Sequence, residues 1–457
     1  MAIAAGIFRQ YDIRGVVGHD LTTEAATAIG RAYATWLASR GIHGAIAVGR
    51  DNRPSGPALR DALVAGLTQT GVDVIDVGEV PTPTLYWCTH NLPVVGGIQI
   101  TGSHNPPEFN GFKLCVGHGS LHGEEIQQLH GIIAKGTYAS AVRPGATSTQ
   151  AVLERYVADL VQRTGKLSRP LKVVVDAGNG IGALVARPLM EGLGADATYL
   201  FCDSDGTFPN HHPDPTVVEN VQDLIREVKA TGADLGIAFD GDADRIGLID
   251  HLGEIVWGDH ILILYARDVL ARTGKGQPII FDVKCSQALP DAIERAGGTA
   301  VMWKTGHSLI KEKMKELHAP IAGEMSGHMF FSEGFYGHDD APYGAARLLR
   351  IVADSGKSVH ELLADVPKFV STPELRVDCP DDRKFAIVDA AVQHFSATHE
   401  VIGVDGARVQ FGDGWGLVRA SNTQPVLVMR FEALTAARLA EIQGEFDAWL
   451  TTQGLTR

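Results

Sequence analysis

The constraint that most narrows the fold is a rhythm of apolar strand, amphipathic helix and strand that restarts along the chain. Between Leu21 and Gly41, Ala25, Ile29, Ala32, Tyr33, Trp36 and Leu37 recur at helical spacing, with threonines at the start and glycine at the end, which predicts a helix. "AIAVGRD" (45–51) reads as a strand, Ala58 to Thr70 as a helix and "VDVIDVG" (72–78) as a strand. Strands joined through helices pair in parallel with right-handed crossovers.

The rhythm restarts in "LKVVVDAGNG" (171–180), a helix through Leu189, "ATYLF", a helix around Val221 to Val228, and "DLGIAFDGD". It restarts again across "HILILYARDVL", "QPIIFD", a helix around Ile293 and "TAVMWKTGH". Three such units suggest an internal structural repeat, with joints near 141–148, 250–258 and 366–374. Beyond them "RVQFGDGWGLVRASNTQPVLVMRFEA" reads as paired strands before a final helix. The expected fold is therefore α/β in three related units with mixed, largely parallel sheets (1–147, 148–252 and 253–367), followed by an α+β domain (368–457). A chain of 457 residues has room for these four domains.

Charge excludes some partners. With 54 acidic against 40 basic residues, the net charge of -14 repels a nucleic-acid backbone. Apolar runs are too short to span a bilayer, so no membrane partner is expected. The five cysteines are scattered and form no CxxC pair, which fits a reducing compartment, and "MAIAAGIFRQYDIRG" lacks a basic leader. A cytoplasmic protein is expected.

Chemistry concentrates in a few loops. In "FDGDADR", Asp240, Asp242 and Asp244 alternate directly after an apolar strand. Carboxylates so close repel unless a cation lies between them, and a hard ion such as magnesium suits an all-oxygen set. The loop at the carboxyl end of a strand in an open α/β sheet is also where such folds place ligands. In "TGSHNP", Ser103 has Gly102, His104 and Pro106 beside it, and Lys113 follows in "NGFKL". A lone serine there would be a turn or a helix cap; with a metal and a cation it suits a residue that takes and gives a phosphoryl group. It is expected to be exposed, so that substrate can reach it.

"AGEMSGHMFF" offers Glu324, Ser326 and His328 for sugar hydroxyls and proton exchange, and "KTGHS" adds His307 at a strand-to-helix turn. "RASNTQP" supplies Arg419, Ser421, Asn422 and Thr423, with Arg430 after it, the ingredients of a phosphate cradle. "DAGNGIGA" carries Gly178, Gly180 and Ala183 in a Rossmann-like spacing, with Asp203 further on. Glycines packing a strand against a helix account for that spacing without a dinucleotide.

The order "TGSHNP", "DGDADR", "GEMSGH", "RASNTQP", one motif per proposed domain, resembles the α-D-phosphohexomutase family, from "FRQYDIRG" to the C-terminal loop. The resemblance implies a four-domain enzyme with its active site in the central cleft. It implies Ser103 as the phosphoryl carrier and Mg²⁺ held by Ser103, Asp240, Asp242 and Asp244. It places Tyr11, Arg14, Arg245 and Lys284 along the cleft, and sets Glu324 and Ser326 on the sugar's 3- and 4-hydroxyls. Arg419, Ser421, Asn422, Thr423 and Arg430 would grip the unreacting phosphate. Ser103, His104, Lys113 and His328 are the catalytic candidates, with His307 and His328 also against substrate. Lys113, His307 and His328 all stay open as proton carriers.

The implied reaction interconverts hexose 1- and 6-phosphates of mannose and glucose through a hexose 1,6-bisphosphate, which also serves as activator. A phosphoglucosamine mutase, and then a magnesium-dependent sugar phosphatase, are the alternatives. The implied partners are small hexose phosphates, and a monomer or weak homodimer is expected.

Overall fold

The computed structural model describes residues 3–421 and 425–456. The suspected repeat is present in its topology. The first unit runs Ala45–Arg50, Val74–Glu79, Val94–Ile100 and Phe109–Val116, in the spatial order fourth, third, first, second. The first strand lies parallel to the second and third, and the fourth returns antiparallel to the third. Strands Lys172–Asp176, Asp196–Leu200, Leu235–Phe239 and Ile246–Asp250 repeat this order and these directions. So do Pro278–Asp282, Thr299–Trp303, Ile321–Gly323 and Met329–Phe331. The first sheet is further extended by Ile13–Val16 beside its fourth strand and by Thr147–Thr149 beside its second.

Local chemistry accounts for the elements. The inner strands are covered on both faces, so they read as unbroken apolar runs such as Val173, Val174 and Val175, all buried. Helix Thr23–Ser39 starts where the Thr22 side chain accepts from the Ala25 amide, and ends before Gly41 at φ 67°. The fourth domain is an antiparallel sheet in which Ala407–Gln410, Gly414–Ala420 and Val426–Ala433 are successive neighbours. Helices Lys384–Ser396 and Ala436–Thr452 close its core through Phe395, Phe446 and Trp449.

The units are packed against one another. Helix Ala341–Ser355 of the third unit shares a core with helices Leu153–Thr164 and Ala183–Leu193 of the second. Val283, Trp415 and Leu417 form a separate apolar cluster that seats the fourth domain on the third. Among the described residues no helix is long and apolar enough to cross a membrane.

The repeat has one consequence for function. In every unit the connection from third to fourth strand is a tight reversal at the carboxyl end of a parallel strand. Those connections are 101–108, 240–245 and 324–328, which are the serine loop, the aspartate loop and the "EMSGH" loop. Three motifs unrelated in sequence occupy one structural position in three copies of a fold.

Candidate active site

Ser103 lies just beyond strand Val94–Ile100, with its backbone in the left-handed region at φ 50°. For a residue with a Cβ that conformation is strained, and strain of this kind gathers at functional sites. The expected exposed serine is not what the fold provides: Ser103 is only 2% exposed. The aspartate loop of the second unit covers it. A Cβ on Gly241 would sit 2.4 Å from the Ser103 carbonyl oxygen, so only glycine permits the approach. Ser103 Oγ donates to Asp240 Oδ2 at 3.1 Å and lies 3.1 Å from His104 Nδ1. Burial, then the charges of Arg245 and Arg14, push the pKa of His104 well below its ordinary value.

The loop is held from below by Arg53, whose side chain is wholly buried. Its Nη2 donates to the carbonyls of Ser103 (2.8 Å) and Asn105 (2.6 Å), and Nη1 to those of Pro106 (2.6 Å) and Phe109 (3.0 Å). Asp51 accepts from Arg53 Nε at 3.1 Å.

Asp240, Asp242 and Asp244 are all buried, with carboxylate oxygens within 4.8 Å of one another. Burial first, and then the charges of Asp244 and Asp242, drive the Asp240 carboxyl well above its usual range. Lys113 Nζ lies between the other two, 2.9 Å from Asp242 Oδ2 and in close contact with Asp244 Oδ2. Burial works against its charge, but Asp242 and Asp244 outweigh burial and raise its pKa. Thr82 Oγ1 donates to Asp242 Oδ2 at 2.6 Å, yet Asp242 Oδ1 is buried with no partner. An unsatisfied carboxylate oxygen in an all-oxygen cluster fits a hard divalent cation.

The second and third units meet at this point. Arg245 pairs with His328 as a β-bridge, and the Ile246 amide donates to the Gly327 carbonyl at 3.1 Å. His328 spans the two loops, with Nε2 3.1 Å from Asp244 Oδ1 and Nδ1 2.9 Å from Glu324 Oε2. Burial opposes its charge, but Asp244 above all raises its pKa to about 9. Burial would likewise raise Glu324, yet the His328 contact brings it to about 2. Ser326 Oγ stands 3.2 Å from His328 Nδ1, and the Gly306 amide donates to Glu324 Oε1 at 2.7 Å. Burial, then Lys311 and Lys113, push the His307 pKa well down, and its buried Nδ1 has no hydrogen-bond partner.

The N-terminal motif is drawn into the same place. Tyr11 donates to the Thr305 carbonyl at 2.7 Å, and Arg14 Nη1 to Asn105 Oδ1 at 3.0 Å. From the fourth domain, Asp405 Oδ2 accepts from the Thr305 amide and from Arg419 Nε, both at 3.0 Å. Lys284 reaches Glu374 at 3.4 Å, and Arg430 Nη1 contacts the Lys284 carbonyl. Ser421 is buried at the end of its strand. Asn422 and Thr423 lie outside the described residues.

Sequence reasoning missed Arg53, Thr82 and Asp405. Each acts on a group far along the chain, and neither "RDNRP" nor "PTPT" carries a local signal of it. The glycines of "DAGNGIGA" are used for packing: the Ile181 amide donates to the Gly241 carbonyl at 3.0 Å, and a Cβ on Gly180 would meet that oxygen at 2.8 Å. The aspartate loop therefore rests directly on the turn that resembles a dinucleotide fingerprint.

Comparison with known proteins places this arrangement. Profiles of the phosphoglucomutase/phosphomannomutase alpha/beta/alpha domains I, II and III match residues 5–140, 154–253 and 257–369, and that of the C-terminal domain matches 374–448. A phosphomannomutase/phosphoglucomutase of Pseudomonas putida is 48% identical over 98% of this chain and 96% of its own. A phosphoglucomutase of Neisseria meningitidis is 47% identical over 98% of this chain and 97% of its own. The crystal structure of a phosphoglucomutase/phosphomannomutase family protein from Burkholderia thailandensis superposes with a TM-score of 0.92 at 44% identity, covering 98% of each chain. Four matched domains in order, and relatives this similar over nearly the whole length, establish that the chain belongs to the phosphoglucomutase/phosphomannomutase family of phosphohexomutases.

Proposed function

We propose that the protein interconverts the 1- and 6-phosphates of glucose and mannose by passing a phosphoryl group through Ser103. The observation that carries this reading is Ser103 Oγ bonded to Asp240 where the loops of three repeated units converge. In the first transfer the P–Oγ bond of phosphoserine breaks and a P–O bond forms to the free sugar hydroxyl, whose proton passes to a base. In the second, the other phosphoryl group returns to Oγ and the sugar oxygen it leaves is protonated. His307, its pKa held down and its Nδ1 without a hydrogen bond, 3.8 Å from Asp339 Oδ2, suits the base. His328, protonated between Asp244 and Glu324, suits the donor and fixes the "EMSGH" loop against the aspartates. Lys113 and Arg245 offset phosphoryl charge. Asp240, Asp242 and Asp244, with the Ser103 side chain, are the residues that would hold Mg²⁺, which supplies Lewis-acid stabilisation of that charge.

Glu324 and Ser326 are assigned to the sugar's 3- and 4-hydroxyls, and Arg419, Ser421, Asn422, Thr423 and Arg430 to the unreacting phosphate. Tyr11, Arg14 and Lys284 line the space between them. Contacts at the 3- and 4-positions do not sense C2, where glucose and mannose differ, so both sugars are expected to turn over. Relatives at 48% and 47% identity bear a dual name and a glucose-only name respectively, so a direct test is needed. Glucose 1-phosphate and mannose 1-phosphate, assayed side by side with a trace of hexose 1,6-bisphosphate, should both give the 6-phosphate. Conversion of glucosamine 6-phosphate alone would reassign the substrate, and release of inorganic phosphate without isomer would replace the mutase by a phosphatase.

Metal removal should separate chemistry from folding. Because Lys113 and protonated His328 together already offset the charges of Asp242 and Asp244, EDTA is expected to abolish turnover while moving the melting temperature by no more than about 4 °C, the equivalent of roughly 1 kcal/mol in a domain of ordinary size. Full activity in EDTA would remove the ion from the mechanism.

A further inference from the structure

The turn of "KTGHS" is where the first unit, the third unit and the fourth domain meet. The Tyr11 hydroxyl donates to the Thr305 carbonyl at 2.7 Å, and Thr305 Oγ1 donates to the buried Asp282 Oδ2 at 3.2 Å. The next amide, that of Gly306, donates to Glu324 Oε1 at 2.7 Å. Gly306 has φ 131°, and a Cβ on it would lie 2.4 Å from Tyr11 Cζ, so only glycine lets the ring close on this turn. From the fourth domain, the single oxygen Oδ2 of Asp405 takes both the Thr305 amide and Arg419 Nε, each at 3.0 Å.

Asp405 lies in the turn between strands Glu400–Ile402 and Ala407–Gln410. Gly406, at φ 99°, folds that turn onto the strand of Arg419: a Cβ on it would sit 2.4 Å from the Val418 carbonyl oxygen and 2.7 Å from Arg419 Cβ. The backbone thus sets carboxylate and guanidinium side by side. The Arg419 side chain is 7% exposed. Its Nε is taken by Asp405, and among the described residues Nη1 and Nη2 have no protein hydrogen-bond partner. A bond at Nε fixes the plane of a guanidinium and leaves its terminal fork for phosphate oxygens. The seam between the third and fourth domains does not depend on this carboxylate. It is made by Val283, Trp415 and Leu417, and by Arg408 Nη1, which donates to the carbonyls of Val283 and Cys285, both at 2.7 Å.

We infer that Asp405 is a positioning residue for the reaction. Through Arg419 it orients the fork that holds the unreacting phosphate, and through Thr305 it registers that fork against the loop carrying Glu324. The inference rests on the assignment of Arg419 to that phosphate. Its sign is what distinguishes it. A carboxylate beside an anion site repels phosphate, so a purely electrostatic role predicts tighter binding once the charge is removed. A positioning role predicts the reverse.

Steady-state kinetics with glucose 1-phosphate on Asp405→Asn, Arg419→Ala and the double variant test the assignment, read as kcat/KM where saturation is not reached. Asp405→Asn should raise KM about tenfold, the weight of one charge-assisted hydrogen bond. Its kcat should stay within about threefold, because Thr305 keeps Tyr11 and Asp282 as partners. In the Arg419→Ala background the same substitution should change KM by no more than about twofold, since a residue acting through Arg419 has nothing left to position. Asp405→Ala is expected to follow the same pattern and stands in if the asparagine variant does not fold. A KM unchanged or lowered by Asp405→Asn, a rise by the same factor in both backgrounds, or a loss confined to kcat overturns the proposal and leaves the phosphate assignment standing. An unaltered KM in Arg419→Ala alone removes that assignment, and the role of Asp405 with it.

Discussion

Ser103→Ala is expected to lower kcat/KM for glucose 1-phosphate by at least about a thousandfold and to leave the purified protein without covalent phosphate, read by intact mass. The size of the effect follows from the chemistry: without Oγ the phosphoryl group has no covalent carrier between the two transfers. A phosphoprotein of unchanged mass increment in the alanine variant would move the carrier elsewhere and sink the assignment. The backbone sharpens the test. At φ 50° alanine is strained as serine is, whereas glycine is not. Ser103→Gly is therefore expected to be inactive yet about 1 kcal/mol more stable than Ser103→Ala in urea denaturation, since both lose the hydroxyl and only alanine keeps the strain. A serine kept in a conformation that glycine would occupy more cheaply is kept for its hydroxyl.

How much of this was legible depended on whether the signal was local. The apolar run of Val173 to Val175, or the helical spacing from Ala25 to Leu37, is written in neighbouring residues, so strands, helices and the fourth domain's paired strands could be read directly. The order fourth, third, first, second could not, because it is set by which strands pair across crossovers. The aspartate and serine loops stood out because carboxylates crowded among glycines at the end of an apolar run repel one another and contribute nothing to a core. The burial of Ser103 has a nonlocal cause: its cover, the Gly241 turn, lies 138 residues further on. Asp405, which joins Thr305 to Arg419, was invisible because one acceptor in a turn has no pattern. Domain-level order of motifs carried what single motifs could not.

Arg53 is the hardest residue to have found and the one with the second large effect. A lone arginine after a strand reads as solvated, and its acceptors are main-chain carbonyls, which have no sequence signature. Four of those carbonyls, from Ser103, Asn105, Pro106 and Phe109, belong to the serine loop and the strand it enters, so the guanidinium fork sets the loop's curvature. Arg53→Ala removes the guanidinium from these carbonyls and leaves the buried Asp51 carboxylate without its countercharge, held by the Arg53 and Gly102 amides. Removing one partner of a buried pair costs about 3–5 kcal/mol, and urea denaturation should show a loss of that order. Arg53→Lys restores the charge but offers one ammonium where two terminal nitrogens served four acceptors, so it should recover part of the stability only. The decisive readout is kinetic. A misplacement near 1 Å costs on the order of a hundredfold, so both variants, assayed where they are folded, should lose about that factor in kcat with KM for glucose 1-phosphate within about threefold. The unreacting phosphate is assigned to the fourth domain, which Arg53 does not touch, and this is why KM should hold. Loss of stability with an unaltered kcat would make Arg53 a brace for the first unit and nothing more; loss of kcat in Arg53→Lys at near-normal stability would mark it as the residue that positions Ser103.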